Sequence, residues 1–221
     1  MPGSIKIDDG SGNYTILTNA GSLGSDKTIT IPNETATLAT TTATDLGGLV
    51  KLQSTTASDD PTLTFDNFVD SSTYSSYIVN FENIIPASDN THLYFNFRQG
   101  GGSGSDLTGT YYRAGFFAEG TSATSQFVHN TSASNYAVIA FQLGTGTAEG
   151  LSAKATFFPA TGSGASSVLD YEVGYNNANP AFVSSRYHAL IQSATATTGL
   201  KFYQSSGNIA SGTITIFGVK K

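Results

Sequence analysis

At 221 residues, with a net charge of −6 and only 12% charged side chains, the chain is long enough for one substantial domain plus an extension, or for two small domains. It has no Lys/Arg cluster to meet nucleic-acid phosphates, since its one adjacent pair of cations is Lys220 and Lys221. The absence of cysteine removes disulfide frameworks, thiolate metal centres and Cys/His nucleophiles together.

The first element is the segment 1–48. Asn13–Thr18 and Lys27–Thr40 alternate apolar residues with Thr and Ser, yet the segment lacks the hydrophobic content of a domain. Strands of this kind leave an apolar face or edge uncovered, and a lone hairpin is marginal in water, so pairing with other chains is the expected solution. The pattern predicts an N-terminal extended β arm that associates with other chains through Ile5, Ile7, Tyr14, Ile16, Ile29, Ile31 and Leu38. Met1–Lys6 followed by Asp8-Asp9-Gly10 offers no apolar signal-peptide core, and no run is long enough to span a bilayer. The expectation is synthesis in a cytoplasm, with no membrane insertion. A Thr-rich stretch closed by Gly47-Gly48 reads as a neck.

From residue 49 to 221 short apolar runs recur between Gly, Asn, Ser and Asp. Strands are predicted at 77–84, 91–98, 110–117, 136–143, 153–158, 168–175, 187–191, 200–204 and 213–219. Leu93, Phe95 and Phe97 fall on one face of their strand, which assigns that face to a core. A short helix is allowed near residues 61–69. Eight or nine strands within roughly 170 residues suit an antiparallel, jelly-roll-like β-sandwich, so the fold class is all-β, an arm followed by a sandwich head. The Gly-rich runs at 100–105 and 160–167 read as exposed loops between strands.

The catalytic patterns are thin. There is no Gly-x-Ser-x-Gly, the glycines at 100–104 are not followed by Lys-Ser/Thr, and His92, His129 and His188 lack partners at metal-ligand spacing. Carboxylate pairs for glycoside hydrolysis would be Asp170 with Glu172 or Glu119 with Glu149, and both read better as solvated charges. The expectation is a non-enzyme with no cofactor and no metal. Aromatic and amide residues near turns are chemically suited to glycans, because sugar rings stack on aromatic faces while Asn and Arg bond their hydroxyls. From the runs Tyr111-Tyr112-Arg113, Tyr136, Tyr175-Asn176-Asn177 and Arg186-Tyr187, the candidate glycan-binding residues are Tyr112, Arg113, Tyr175, Asn176, Asn177, Arg186 and Tyr187.

Thr28–Thr40, reading TITIPNETATLAT, resembles the T-I-T-L-P-x-x-T-x-T-L element common in bacteriophage fibre and appendage proteins. Residues 81–90 and 205–218 resemble the end domain of many phage tail-fibre and virion-decorating proteins. The resemblance implies a virion structural protein on the particle exterior: a homotrimer whose arm docks on a tail adaptor or the major capsid protein and whose head faces outward toward host surface glycan. Without an extended shaft, two compact forms are expected, a short tail fibre or, alternatively, a capsid decoration protein. A polysaccharide depolymerase and a free carbohydrate-binding module are the more distant readings.

Overall fold

The computed structural model of the protein describes residues 4–8, 14–18, 48–120, 125–132, 135–146, 148–162, 165–193 and 195–221, with backbone alone for 4–8, 14–18 and 125–132. The chain divides into two units, 1–43 and 44–221. In the first, strands β1 (Ser4–Asp8) and β2 (Tyr14–Thr18) pair antiparallel, with Ser4 opposite Thr18 and Asp8 opposite Tyr14. This hairpin contains the backbone of Ile5, Ile7, Tyr14 and Ile16, whereas Ile29, Ile31 and Leu38 lie outside the described residues.

The second unit is all-β and antiparallel, built of two sheets packed face to face. In chain order its strands begin with β3 (Leu49–Thr56), β4 (Leu63–Phe65), β5 (Tyr74–Pro86), β6 (Thr91–Gln99) and β7 (Ser105–Asp106). They continue with β8 (Tyr111–Glu119), β9 (Ser125–Ser132), β10 (Ala137–Leu143), β11 (Leu151–Phe158) and β12 (Ser167–Asn176). The last are β13 (Phe182–Ile191), β14 (Gly199–Gln204) and β15 (Ile209–Lys220). The wide sheet has the order β3-β15-β5-β11-β12-β13-β8-β9, and the narrow one β10-β6-β14-β4 with β7 beside β6. Among the described residues no helix is long and apolar enough to cross a membrane.

Period-two alternation decides which side chains enter the core. Leu93, Phe95 and Phe97 of β6 are fully buried and face Phe157, Leu169 and Tyr171 of the wide sheet. Phe97 lies 5.7 Å from both Tyr111 and Phe157, ring to ring, and Phe95 meets Tyr171 edge-on at 6.3 Å. Such pairs add about 0.5–1.5 kcal/mol each beyond the area they bury.

All nine expected strands are present, several extended by a few residues. Strands β3, β4, β7 and β9 were not anticipated. Where a short helix was allowed, 61–69, the chain forms β4 instead: Leu63 and Phe65 are buried on either side of exposed Thr64, and Leu63 pairs with Phe202. Two apolar residues spaced by two can cover a sheet face but make no helical stripe. In the Gly-rich run at 100–105 the chain closes in a short 3-10 turn, Gly101–Ser103, entered through Gly100 and Gly101 at φ of 88° and 70°, a conformation that favours glycine.

Candidate functional site

Strand β10 is the edge of the narrow sheet, and its outward backbone groups find side-chain partners instead of a neighbouring strand. The Tyr171 hydroxyl donates to the Val138 carbonyl at 2.5 Å, and Arg113 Nη1 donates to the same oxygen at 3.2 Å. At Phe141 the Tyr175 hydroxyl does both jobs, accepting from the amide at 2.9 Å and donating to the carbonyl at 2.7 Å. Three side chains from the inner face of the wide sheet thus close an edge that would otherwise invite another strand. Burial drives the Tyr171 and Tyr175 hydroxyls well above the ordinary tyrosine range, so both remain donors.

The register of β10 against β6 slips twice, between Val138 and Ala140 and between Ala140 and Leu143, and Gln142 takes φ of 51°. Bulges re-aim side chains. Here the Gln142 amide donates to His92 Nδ1 at 2.9 Å and the Phe141 ring packs edge-on to His92, with centroids 5.4 Å apart. Burial lowers the His92 pKa, in keeping with a neutral ring whose Nδ1 is an acceptor.

Arg113 stands between two rings, its guanidinium carbon 4.6 Å from the Phe141 centroid and 4.4 Å from that of Tyr187. Tyr187 owes its place to Gly115, its direct partner on β8. A Cβ on Gly115 would come within 2.0 Å of the Arg186 carbonyl and 2.6 Å of the Tyr187 ring. Arg113 is only 6% exposed, yet it lines a cavity of about 210 Å³ together with Tyr94, Tyr111, Tyr136, Ala137, Val138 and Phe141. On the outer side of that mouth Tyr94 and Tyr136 are stacked at 4.2 Å, with Tyr203 edge-on to Tyr94 at 5.6 Å. Tyr111 forms an inner wall, its hydroxyl accepting from the Phe97 amide and its pKa pushed up to about 12 by burial.

The seven residues singled out in the sequence separate into three places. Arg113 lines the cavity and Tyr187 supports it from behind. Tyr175 is a correction: buried and committed at both ends of its hydroxyl to Phe141, it has no ring face for a sugar. Tyr187 is likewise buried at 1% exposure, and Asn177 serves the β12–β13 turn. The Asn177 Oδ1 accepts from the Asn179 and Ala181 amides at 3.0 Å, and its Nδ2 donates to Glu119 at 2.6 Å. Asn176 donates to the Ala148 carbonyl at 3.2 Å. The amide-rich run that suggested sugar hydroxyls is thus turn chemistry, with an Asx-type cap holding the corner.

Tyr112 and Arg186 face the opposite way, on the outer surface of the wide sheet. The Tyr112 hydroxyl donates to Gln192 at 3.2 Å. Arg186 lies 3.8 Å from Asp170, which also meets His188 at 3.4 Å, and Lys154, Thr156, Asp170, Glu172 and Arg186 line a shallow hollow of about 150 Å³. Asp170 and Glu172 share this face, flanked by cations. Of the other carboxylate pair, Glu149 accepts from the Gly146 amide at 2.6 Å. Among the described residues no group of three or more His, Asp or Glu is gathered in a way that could hold a metal ion.

Tyr94 and Phe141 belong to the mouth and were not among the expected site residues. The signal for Tyr94 lay in the same alternation that buried Leu93, Phe95 and Phe97, because Tyr94 must then face outward with Asn96 and Arg98. Phe141 carried no such signal, since the bulge that turns it toward Arg113 depends on pairing with β6. Compared with protein-family models, with curated proteins and with solved structures, the chain finds no match.

Proposed function

We propose that the chain is a structural protein of a bacteriophage virion: a compact trimeric tail fibre that attaches through residues 1–48 and exposes the sandwich of 49–221 to bind host surface glycan without cleaving it. The observation that carries this reading is the mouth at the β10 edge. Arg113, seated between Phe141 and Tyr187, opens beside the stacked pair Tyr94 and Tyr136, which joins ring faces for a sugar to a fork of hydrogen-bond donors. The Thr-rich leader that resembles phage fibre elements supports attachment to a particle. Three linked heads raise the effective concentration of a weak site by multivalency.

A second reading, a decoration protein on the capsid shell, draws on the outer face of the wide sheet. There Leu49 pairs with Val219, and Phe158, Val168, Leu190 and Tyr112 occupy successive cross-strand positions, the two groups being separated by β5, whose Ser76 stands opposite Val219; with Leu49 58% and Phe158 46% exposed, these apolar side chains suit packing on neighbouring virion subunits. Gold-labelled antibody on purified virions separates the two. Label at the tail supports the fibre, label over the shell supports decoration, and virions without label overturn both. Sedimentation of the full chain as a single polypeptide would remove the trimer.

A further inference from the structure

The charge of the sugar follows from the three arginines of the chain. Arg98 is matched by carboxylates, with Nε 2.6 Å from Asp66 and Nη1 2.6 Å from Asp106, and Arg186 lies beside Asp170. Arg113 is the exception. Among the described residues no carboxylate pairs with it, and the groups around it are neutral: the Val138 carbonyl, the Tyr171 hydroxyl and two π faces. A guanidinium keeps its charge inside proteins, and a largely buried cation without a counter-ion is costly to maintain. Among the described residues, none of the others lining the cavity is acidic.

We infer that the Arg113 cavity takes the carboxylate of an acidic sugar ring, of the uronic-acid class. This rests on the glycan-binding reading above and specifies its ligand. A planar carboxylate matches the guanidinium fork, and the C–H face of the same ring can lie on the Tyr94–Tyr136 wall. At about 210 Å³ the cavity is below the roughly 300–1,000 Å³ of sites for drug-sized ligands, so it admits one ring, with the rest of a polymer outside.

The test titrates the full-length protein with a galacturonic acid oligomer, a neutral galactose oligomer and inorganic phosphate, read by calorimetry and by protein-detected NMR. The acidic oligomer is expected to bind about tenfold or more tighter than the neutral one and to weaken with added salt. Arg113→Lys, which keeps the charge and loses the fork, should weaken it about tenfold. Should that variant fail to fold by circular dichroism, Tyr136→Ala at a half-exposed position decides, with loss of acidic-sugar binding expected. Equal binding of acidic and neutral oligomers, phosphate binding as tight as the uronate, or no binding of the uronate would each overturn the inference. Binding of the intact protein to host cells is scored separately, so a failed uronate titration beside positive cell binding sinks the acidic ligand and leaves the glycan reading in place.

Discussion

Two arginines on adjacent strands of one sheet meet opposite fates. Arg113 of β8 points inward, is 6% exposed and has aromatic rings on both sides, while Arg186 of β13 points outward with 64% of its side chain exposed and a carboxylate at 3.8 Å. The outer pair sits in solvent, where screening and side-chain entropy leave such contacts worth about 0–1 kcal/mol. The inner one is held by the packing of Tyr187 over Gly115 and by the bulged edge of β10. The same residue type is therefore adjustable on one face and built into the architecture on the other.

The comparison breaks most severely at Gly115. Gly115→Val puts a side chain where the Arg186 carbonyl and the Tyr187 ring already are, and it should cost on the order of 4 kcal/mol or prevent folding, read as the urea midpoint of the purified protein. Next is the edge. Tyr175→Phe strips both partners from the Phe141 backbone, with an expected loss of about 1–3 kcal/mol in urea unfolding and lowered hydrogen-exchange protection of the Phe141 amide. An unchanged variant would mean that water replaces the hydroxyl.

A pH series sharpens the contrast from the same edge. The His92 pKa is lowered in the folded state chiefly by burial, so the unfolded chain binds the proton more readily. This contribution to stability is complete at pH above the ordinary histidine value of about 6.5 and falls as pH drops through the window between that value and the lowered folded one. Protonation at Nδ1 also abolishes the bond from the Gln142 amide. Thermal unfolding followed through this window should show His92→Phe less acid-sensitive than the unaltered protein, and equal sensitivity would place the titration elsewhere. The smallest effect belongs to the outer face: Arg186→Ala is expected to change stability by no more than about 0.5 kcal/mol, and a larger loss would mean that the outer row is structural.

Much of the head is legible in the sequence. Alternation in Leu93–Phe97 and in Ile214–Phe217 called for strands with one buried face, and those strands exist with Leu93, Phe95, Phe97, Ile214 and Ile216 fully buried. Strands were overlooked where that signal fades. In β3 the residues Leu49–Thr56 show no clean alternation and none is buried, because an edge strand needs a core less than it needs a partner. At the site, Arg113 was legible as a residue type able to bind sugars, but Tyr175 and Asn177 look equally suitable in sequence, and both are consumed by the fold.

The sequence by itself determined the all-β class, the nine main strands and, where alternation is clean as in Leu93–Phe97 and Ile214–Phe217, the inward face, since a period of two is a local property of side chains along an extended backbone. Tertiary structure alone decided the order of strands in the two sheets, the bulge in β10 and the choice among polar aromatics of those that cap an edge and those that wall a cavity. These depend on which backbone groups are left unpaired when the sheets are packed, and residues far apart in the chain, such as Arg113, Phe141 and Tyr187, answer that demand together.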